Sequence, residues 1–263
     1  AWPVSDQGVA EAGALDDLLA VPTAGVSLLW VNNETGVIQP VAAMAERART
    51  AGAWSHADGV QALGHVPLDF TDSGLDALSL SAHKVGGPIG IGALLLRRGV
   101  GLSPIGHGGG QERDLRSGTL APALAAGFAA AARWAVDHRE AEAVRLGEMA
   151  ERIETLVSGI SGTRVNGAQA ERSPAIVNVT FAGVRADDLL MLLDTAGIDA
   201  STGSACTAGV SQPSEVLLAM GRTEAEASGS LRFSLGHTTT DADIDRLAAV
   251  LADAVARART AFG

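Results

Sequence analysis

Between Val26 and Val31 the side chains are almost continuously apolar, and Pro22 and Gly25 precede them, a pattern that predicts a short buried strand. The next five residues, Asn32-Asn33-Glu34-Thr35-Gly36, are polar and turn-forming. Amides and a carboxylate at the C-terminal end of a strand stand where open α/β sheets bind ligands, and the same residues also make an ordinary Asn-rich turn. From Pro40 to Ala51, Val41, Met44, Ala45 and Ala48 recur at helical spacing, and Gly52 stops the pattern. Strands are predicted over Ala53–Ala57, around Val66–Leu68 and over Leu75–Ser81, with a further one at Ile91–Leu96. Strand, helix, strand in this order predicts a parallel sheet with crossover helices. Ahead of all these, Val9, Ala10, Leu15, Leu18 and Leu19 set a helical pattern.

The second half has a different rhythm. An Ala-rich helix is predicted from Pro122 to Val136 and a second from His138 to Val157, whose solvated face carries Glu140, Glu142, Arg145, Glu148, Glu151 and Arg152. This long helical stretch places a domain boundary near residue 140, with a large α/β domain over 1–140 and a smaller α+β domain over 141–263. The smaller domain reads as a strand at Ala175–Phe181, a helix at Ala186–Leu193, a strand near Ile198, a helix from Pro213, a strand from Ser230 and a final helix. Thr240 and Asp243 form a capping pair for that last helix.

Composition narrows the function classes. The chain has 263 residues, 47% of them hydrophobic, enough for a sizeable core. Its formal net charge of −11 disfavours direct nucleic-acid binding. There is no run of 18 apolar residues and no basic-apolar leader, so a membrane span and a signal peptide are not expected. The single cysteine, Cys206, cannot form an intrachain disulfide or a cysteine-based metal site, which suits a cytoplasmic location. The chain opens on Ala1 rather than on methionine, as a processed chain or a fragment does.

Four places carry candidate chemistry. Lys84 follows the Leu75–Ser81 strand and precedes the glycine turn Gly86-Gly87-Pro88, a position suited to Schiff-base formation but shared by many solvated lysines. Asp58 stands at the end of the neighbouring predicted strand, and a carboxylate paired with a lysine is what a pyridoxal ring requires. Cys206 lies in Ser201-Thr202-Gly203-Ser204-Ala205-Cys206-Thr207-Ala208-Gly209, where small residues would let a loop swing a thiol; most free cysteines are nonetheless buried and inert. In Leu231-Arg232-Phe233-Ser234-Leu235 the alternation puts Arg232 opposite the apolar face, as a solvent-facing strand arginine would also be. His56, His65, His138 and His237 lack metal-ligand spacing and read as structural or exposed.

Six segments, taken together, resemble one family. They are Val31-Asn32-Asn33-Glu34-Thr35-Gly36, Asp58-Gly59-Val60-Gln61, Ser81-Ala82-His83-Lys84 with Gly86-Gly87-Pro88, His107 to Arg113, Arg116-Ser117-Gly118-Thr119, and Gly203-Ser204-Ala205-Cys206. Their order along the whole chain is similar to that of the cysteine desulfurases, pyridoxal-phosphate enzymes of the class V aminotransferase superfamily. The resemblance implies the fold type I α/β architecture, with Lys84 bonded to pyridoxal 5'-phosphate and moving the substrate's Cα proton. It implies that Asp58 pairs with the ring nitrogen and that Asn33 and Gln61 bond cofactor and substrate. Ser81 and His83 would hold the phosphate, joined by Thr119 from the partner subunit of a homodimer. Arg232 would grip the carboxylate of L-cysteine, and Cys206 would take its sulfur as a persulfide, releasing alanine. The sulfur would then pass to an acceptor protein for iron–sulfur cluster, thio-cofactor or tRNA biosynthesis. The segment at 107–113 implies a dimer interface beside the site. In the family a further front segment, with a Gly-Ala-Thr phosphate turn and a ring-stacking histidine, precedes the part matched here. The resemblance therefore implies an N-terminally truncated large domain, a weakened cofactor grip and an uncovered sheet. A selenocysteine lyase, another class V enzyme, or an inactive remnant serving as an interaction module are the alternatives.

Overall fold

In the computed structural model, which describes residues 2–203 and 212–261, the chain begins with helix α1 (Ala12–Leu19), strand β1 (Gly25–Leu29) and helix α2 (Val41–Thr50). Strands β2 (Trp54–Asp58), β3 (Ala77–Ser81) and β4 (Gly92–Leu96) follow, then helix α3 (Pro122–Ser158). The remainder is β5 (Thr163–Val165), β6 (Ile176–Phe181), α4 (Ala186–Thr195), β7 (Ser201–Thr202), α5 (Glu215–Ala219), α6 (Glu224–Ser228), β8 (Ser230–Ser234) and α7 (Asp241–Ala261). None of the described helices is long and apolar enough to cross a membrane. The chain divides into two units, one of residues 19–30 and 41–138, the other of residues 1–18, 31–40 and 139–263.

The first unit is built on a sheet in the order β1-β2-β3-β4. β1 to β3 are parallel, and β4 runs antiparallel to β3. Helix α2 buries Val41, Met44, Ala45 and Ala48, the stripe its spacing predicts, and packs against β1 and β2. Asp76 secures β2 beside β3: one carboxylate oxygen accepts the Ser55 N–H at 2.9 Å and the Ser55 hydroxyl at 3.1 Å, and the other pairs with Arg97. Burial works to raise the Asp76 pKa, but the bonds from Arg97 and Ser55 outweigh it and hold the carboxyl below its ordinary value.

The second unit centres on a sheet ordered β5-β6-β8-β7, with every pairing antiparallel. Val177, Val179 and Phe181 of β6 share a core with Leu189 and Leu193 of α4, Ile153 of α3, and Leu247 and Leu251 of α7. At roughly 1.5–3 kcal/mol for each fully buried large apolar side chain, this cluster is the main support of the unit.

The structure departs from the sequence pattern in five places. Val66–Leu68 is not a strand, because the preceding turn uses the backbone: Val66 N–H donates to the Ala62 carbonyl at 3.0 Å, and Pro67 has no N–H to offer a ladder. The two predicted helices after Pro122 are one, α3, since no Gly or Pro stands between Val136 and His138 to break it. Ile198 lies in the turn that closes α4, its N–H donating to Leu193, and the strand comes later as β7. The helix expected from Pro213 starts at Glu215 under a Ser214 cap and is followed by α6, which has a full Thr223/Glu226 capping box. Strand β5 was not expected. At α7 the Asp243 carboxylate accepts from both the N–H and the hydroxyl of Thr240, at 2.8 Å each, as the predicted pair requires.

Candidate active site

The parallel register sets the first group of side chains. β2 and β3 run side by side with Asp58 opposite Ser79, so both strands end at the same edge of the sheet. The backbone of Asp58 is fixed from both sides. Its carbonyl accepts the Trp30 N–H at 2.8 Å, and the next N–H, of Gly59, donates to the Ser79 carbonyl at 2.9 Å. Asp58 Oδ1 accepts the Val60 N–H at 2.9 Å, which orients the carboxylate, and Gln61 follows in the same turn, half-buried.

On β3 the chain leaves the sheet through a single 3-10 turn, Ala82–Val85, which carries His83 and Lys84 exposed. Gly86 ends it in the left-handed region (φ 77°), its N–H returning to the Ala82 carbonyl. A side chain at Gly87 would set its Cβ 2.9 Å from that same carbonyl oxygen, so the tight exit requires glycine there too. Ser81 Oγ and His83 Nδ1 lie 2.7 Å apart, a hydroxyl–imidazole pair at the strand end. The expected neighbours Asp58, Ser81, His83 and Lys84 thus stand at the C-terminal edges of two adjacent parallel strands, the usual ligand position of such sheets. Thr119 lies in an exposed stretch of the same unit, next to Gly118, whose N–H donates to Gln111 Oε1 at 3.1 Å.

His56, expected to be structural or exposed, is structural: it is half-buried on the face of β2 that also bears Asp58, with Nδ1 2.8 Å from Ser27 Oγ and Nε2 2.7 Å from Ser79 Oγ. Its ring stacks on Trp54, with centroids 6.0 Å apart. Burial lowers its pKa below the ordinary 6.5, against a smaller opposing pull from Asp58, so the neutral ring is favoured. The two-residue alternation Trp54, His56, Asp58 was the available signal.

The second group lies in the other unit. Asn33 is half-buried in the loop after β1, a loop closed by its neighbour: Asn32 Oδ1 accepts the N–H groups of Glu34 and Thr35, each at 2.9 Å, and the Thr35 hydroxyl at 3.1 Å. Arg232, in the middle of β8, donates from Nη1 to the Asn33 carbonyl at 2.8 Å. Arg232 is therefore no solvent-facing strand arginine; its Nε is buried with no hydrogen-bond partner among the described residues. Cys206 lies outside the described residues. Sequence reasoning missed the buried polar residues around this loop, Asn166, Asn178 and Ser214, at 0%, 1% and 5% exposure. An asparagine amid the β-branched residues of β6 was the one visible sign.

The Aminotransferase class-V family profile matches residues 1–247. The chain belongs to that family, in its cysteine desulfurase branch. Among class-V relatives, the IscS-like cysteine desulfurase of Mycobacterium tuberculosis is 51% identical over 98% of this chain and 67% of its own length. A cysteine desulfurase of Gluconacetobacter diazotrophicus is 42% identical over 97% of this chain and 64% of its own. The X-ray structure of a NifS-like protein from Rickettsia africae superposes with a TM-score of 0.89 at 30% identity, covering 96% of this chain and 68% of that one. The class-V chain described here thus spans about two thirds of the length of these relatives.

Proposed function

We propose that this chain carries the main catalytic groups of a pyridoxal-phosphate-dependent cysteine desulfurase, converting L-cysteine to L-alanine and holding the sulfur as a persulfide on Cys206. The observation that carries the reading is the register of β2 and β3, which puts Asp58 and the turn bearing Lys84 at one edge of the parallel sheet. The donor set suits a pyridoxal cofactor: a carboxylate for the ring nitrogen, an amine for the aldehyde, and a hydroxyl–imidazole pair for the phosphate. When bound, that group supplies an electron-withdrawing ring that stabilises charge left at an amino acid's Cα.

The chain's own residues do the rest. Asp58 would pair with the ring nitrogen and favour its protonated form. Lys84 Nζ would hold the cofactor and carry the Cα proton. Asn33 and Gln61 would orient cofactor and substrate, and Ser81 and His83 would bond the phosphate, with Thr119 donated to it by a partner subunit. Arg232 would receive the substrate carboxylate, which its buried Nε, without a hydrogen-bond partner among the described residues, suits. The Cys206 thiolate attacks the substrate sulfur; the carbon–sulfur bond breaks, its electron pair stays on carbon, and protonation there gives alanine. A homodimer and a protein that accepts the sulfur, for iron–sulfur cluster or related biosynthesis, complete the reading.

The test supplies the chain with pyridoxal phosphate and L-cysteine, alone and co-expressed with the front third of the M. tuberculosis relative, and measures alanine and sulfide. With a thiol reductant present to free the persulfide sulfur as sulfide, equal amounts of both, lost in Cys206→Ser, are expected. No product in either preparation rejects the reading.

A further inference from the structure

Strand β6 has two faces of opposite character. Val177, Val179 and Phe181 point into the apolar core, while Asn178 and Thr180 alternate to the other face and are still buried, at 1% and 3% exposure. Buried polar groups are costly unless each finds a partner, and these find theirs in series. Arg222 Nε donates to Asn166 Oδ1 at 3.2 Å, and Asn166 Nδ2 donates to Asn178 Oδ1 and Thr180 Oγ1, each at 2.8 Å. Asn178 Nδ2 then donates to the Glu34 carbonyl at 3.1 Å. Arg232, the register partner of Asn178 on β8, holds the carbonyl of the preceding residue, Asn33. Two cross-strand side chains therefore grip two consecutive carbonyls of one loop.

The Glu34 side chain extends the series. At 4% exposure, its carboxylate accepts the Ser214 hydroxyl at 2.5 Å, and Oε2 lies 3.8 Å from where a Cβ on Gly203 would stand. Ser214 is also the cap of α5, accepting the Leu217 N–H at 3.2 Å. Gly203 precedes and Ser214 follows the segment that contains Cys206.

We propose that Glu34 and Asn178 are positioning residues for the sulfur-transfer reaction. They form a buried brace in which the Glu34 carboxylate fixes Ser214, the residue that caps α5 and follows the Cys206 segment. The carbonyl of the same glutamate, held by Asn178, sets the place of its neighbour Asn33. The purpose of the brace rests on the desulfurase reading, but its test does not.

Cys206 is the only cysteine of the chain, so the rate at which iodoacetamide alkylates the native protein reads the stretch between Gly203 and Ser214 without cofactor or turnover. Glu34→Asp draws the carboxylate back by one methylene and away from Ser214; Glu34→Gln keeps an acceptor at the same reach. The expected result is alkylation at least about fivefold faster than wild type in Glu34→Asp and in Asn178→Leu, and within about twofold of wild type in Glu34→Gln, with melting curves recorded alongside. Wild-type rates in a folded Glu34→Asp, or equal acceleration in Glu34→Gln and Glu34→Asp, overturn the proposal. Should Glu34→Asp not fold, Asn178→Leu decides: acceleration supports the brace, and an unchanged rate overturns it. A chain that makes no alanine or sulfide yet gives this alkylation pattern loses the desulfurase reading and keeps the brace. Alanine and sulfide production with unaltered alkylation does the reverse.

Discussion

The strand ends of the β1–β4 unit and the polar face of β6 handle polar residues in opposite ways. In the first, His83 and Lys84 are exposed, and it is the backbone that fixes them, through the sheet ladder, a 3-10 turn and a left-handed glycine. In the second, Asn166, Asn178 and Glu34 are buried, and their side chains fix the backbone of a loop. The difference separates two costs. An exposed lysine on a rigid edge contributes little to stability and can be lost without unfolding, whereas a buried amide that loses its partners leaves unsatisfied groups behind.

The sharpest way to break this contrast is Lys84→Ala. With cofactor and front segment supplied, it should lower alanine formation by about 10²–10⁴, the range for losing a proton-transfer group, while leaving the thermal midpoint unchanged. A shift of more than a few degrees would mean that Lys84 also supports the fold. Next comes Asn166→Leu in the other unit, which strips partners from Asn178, Thr180 and Arg222. A loss of about 1–3 kcal/mol in denaturant unfolding is expected, and a loss below about 0.5 kcal/mol would show that the network is not structural.

The smallest effect sharpens the contrast within the first unit. His56 has a lowered folded-state pKa, so below about pH 6.5 the unfolded chain binds the proton that the folded chain resists. Stability should therefore fall as pH drops from 7 through 6.5 and toward the lower folded value, and His56→Gln should flatten that slope in a melting series. An identical slope in both proteins would reject the assignment. The carboxylates of Asp76, Glu226 and Asp243, all held low, lose their contribution only in the acidic range below their ordinary values of 3.8 to 4.5, so the two windows are separable.

Much of the first unit was legible because its signals are local. The stripe on α2, the apolar run of β1 and the alternation ending in Ser81 each fix an element by spacing alone, and strand–helix–strand order then implies parallel neighbours. Asp58 and Lys84 could be placed at one sheet edge for the same reason. Val66 misled because a buried valine in a turn looks like one in a strand until its N–H is traced to Ala62. Asn178, Glu34 and Ser214 stayed hidden because their meaning depends on partners up to 180 positions away, and no spacing rule spans that distance.

Strands β1 and β4 are the margins of the four-stranded sheet, and neither carries a charge or a proline. Among the described residues each of these strands is paired on one side only, and half-exposed Leu94 lies on β4. Backbone hydrogen bonding along the open side of an outer strand is the means by which such a sheet takes on one strand more.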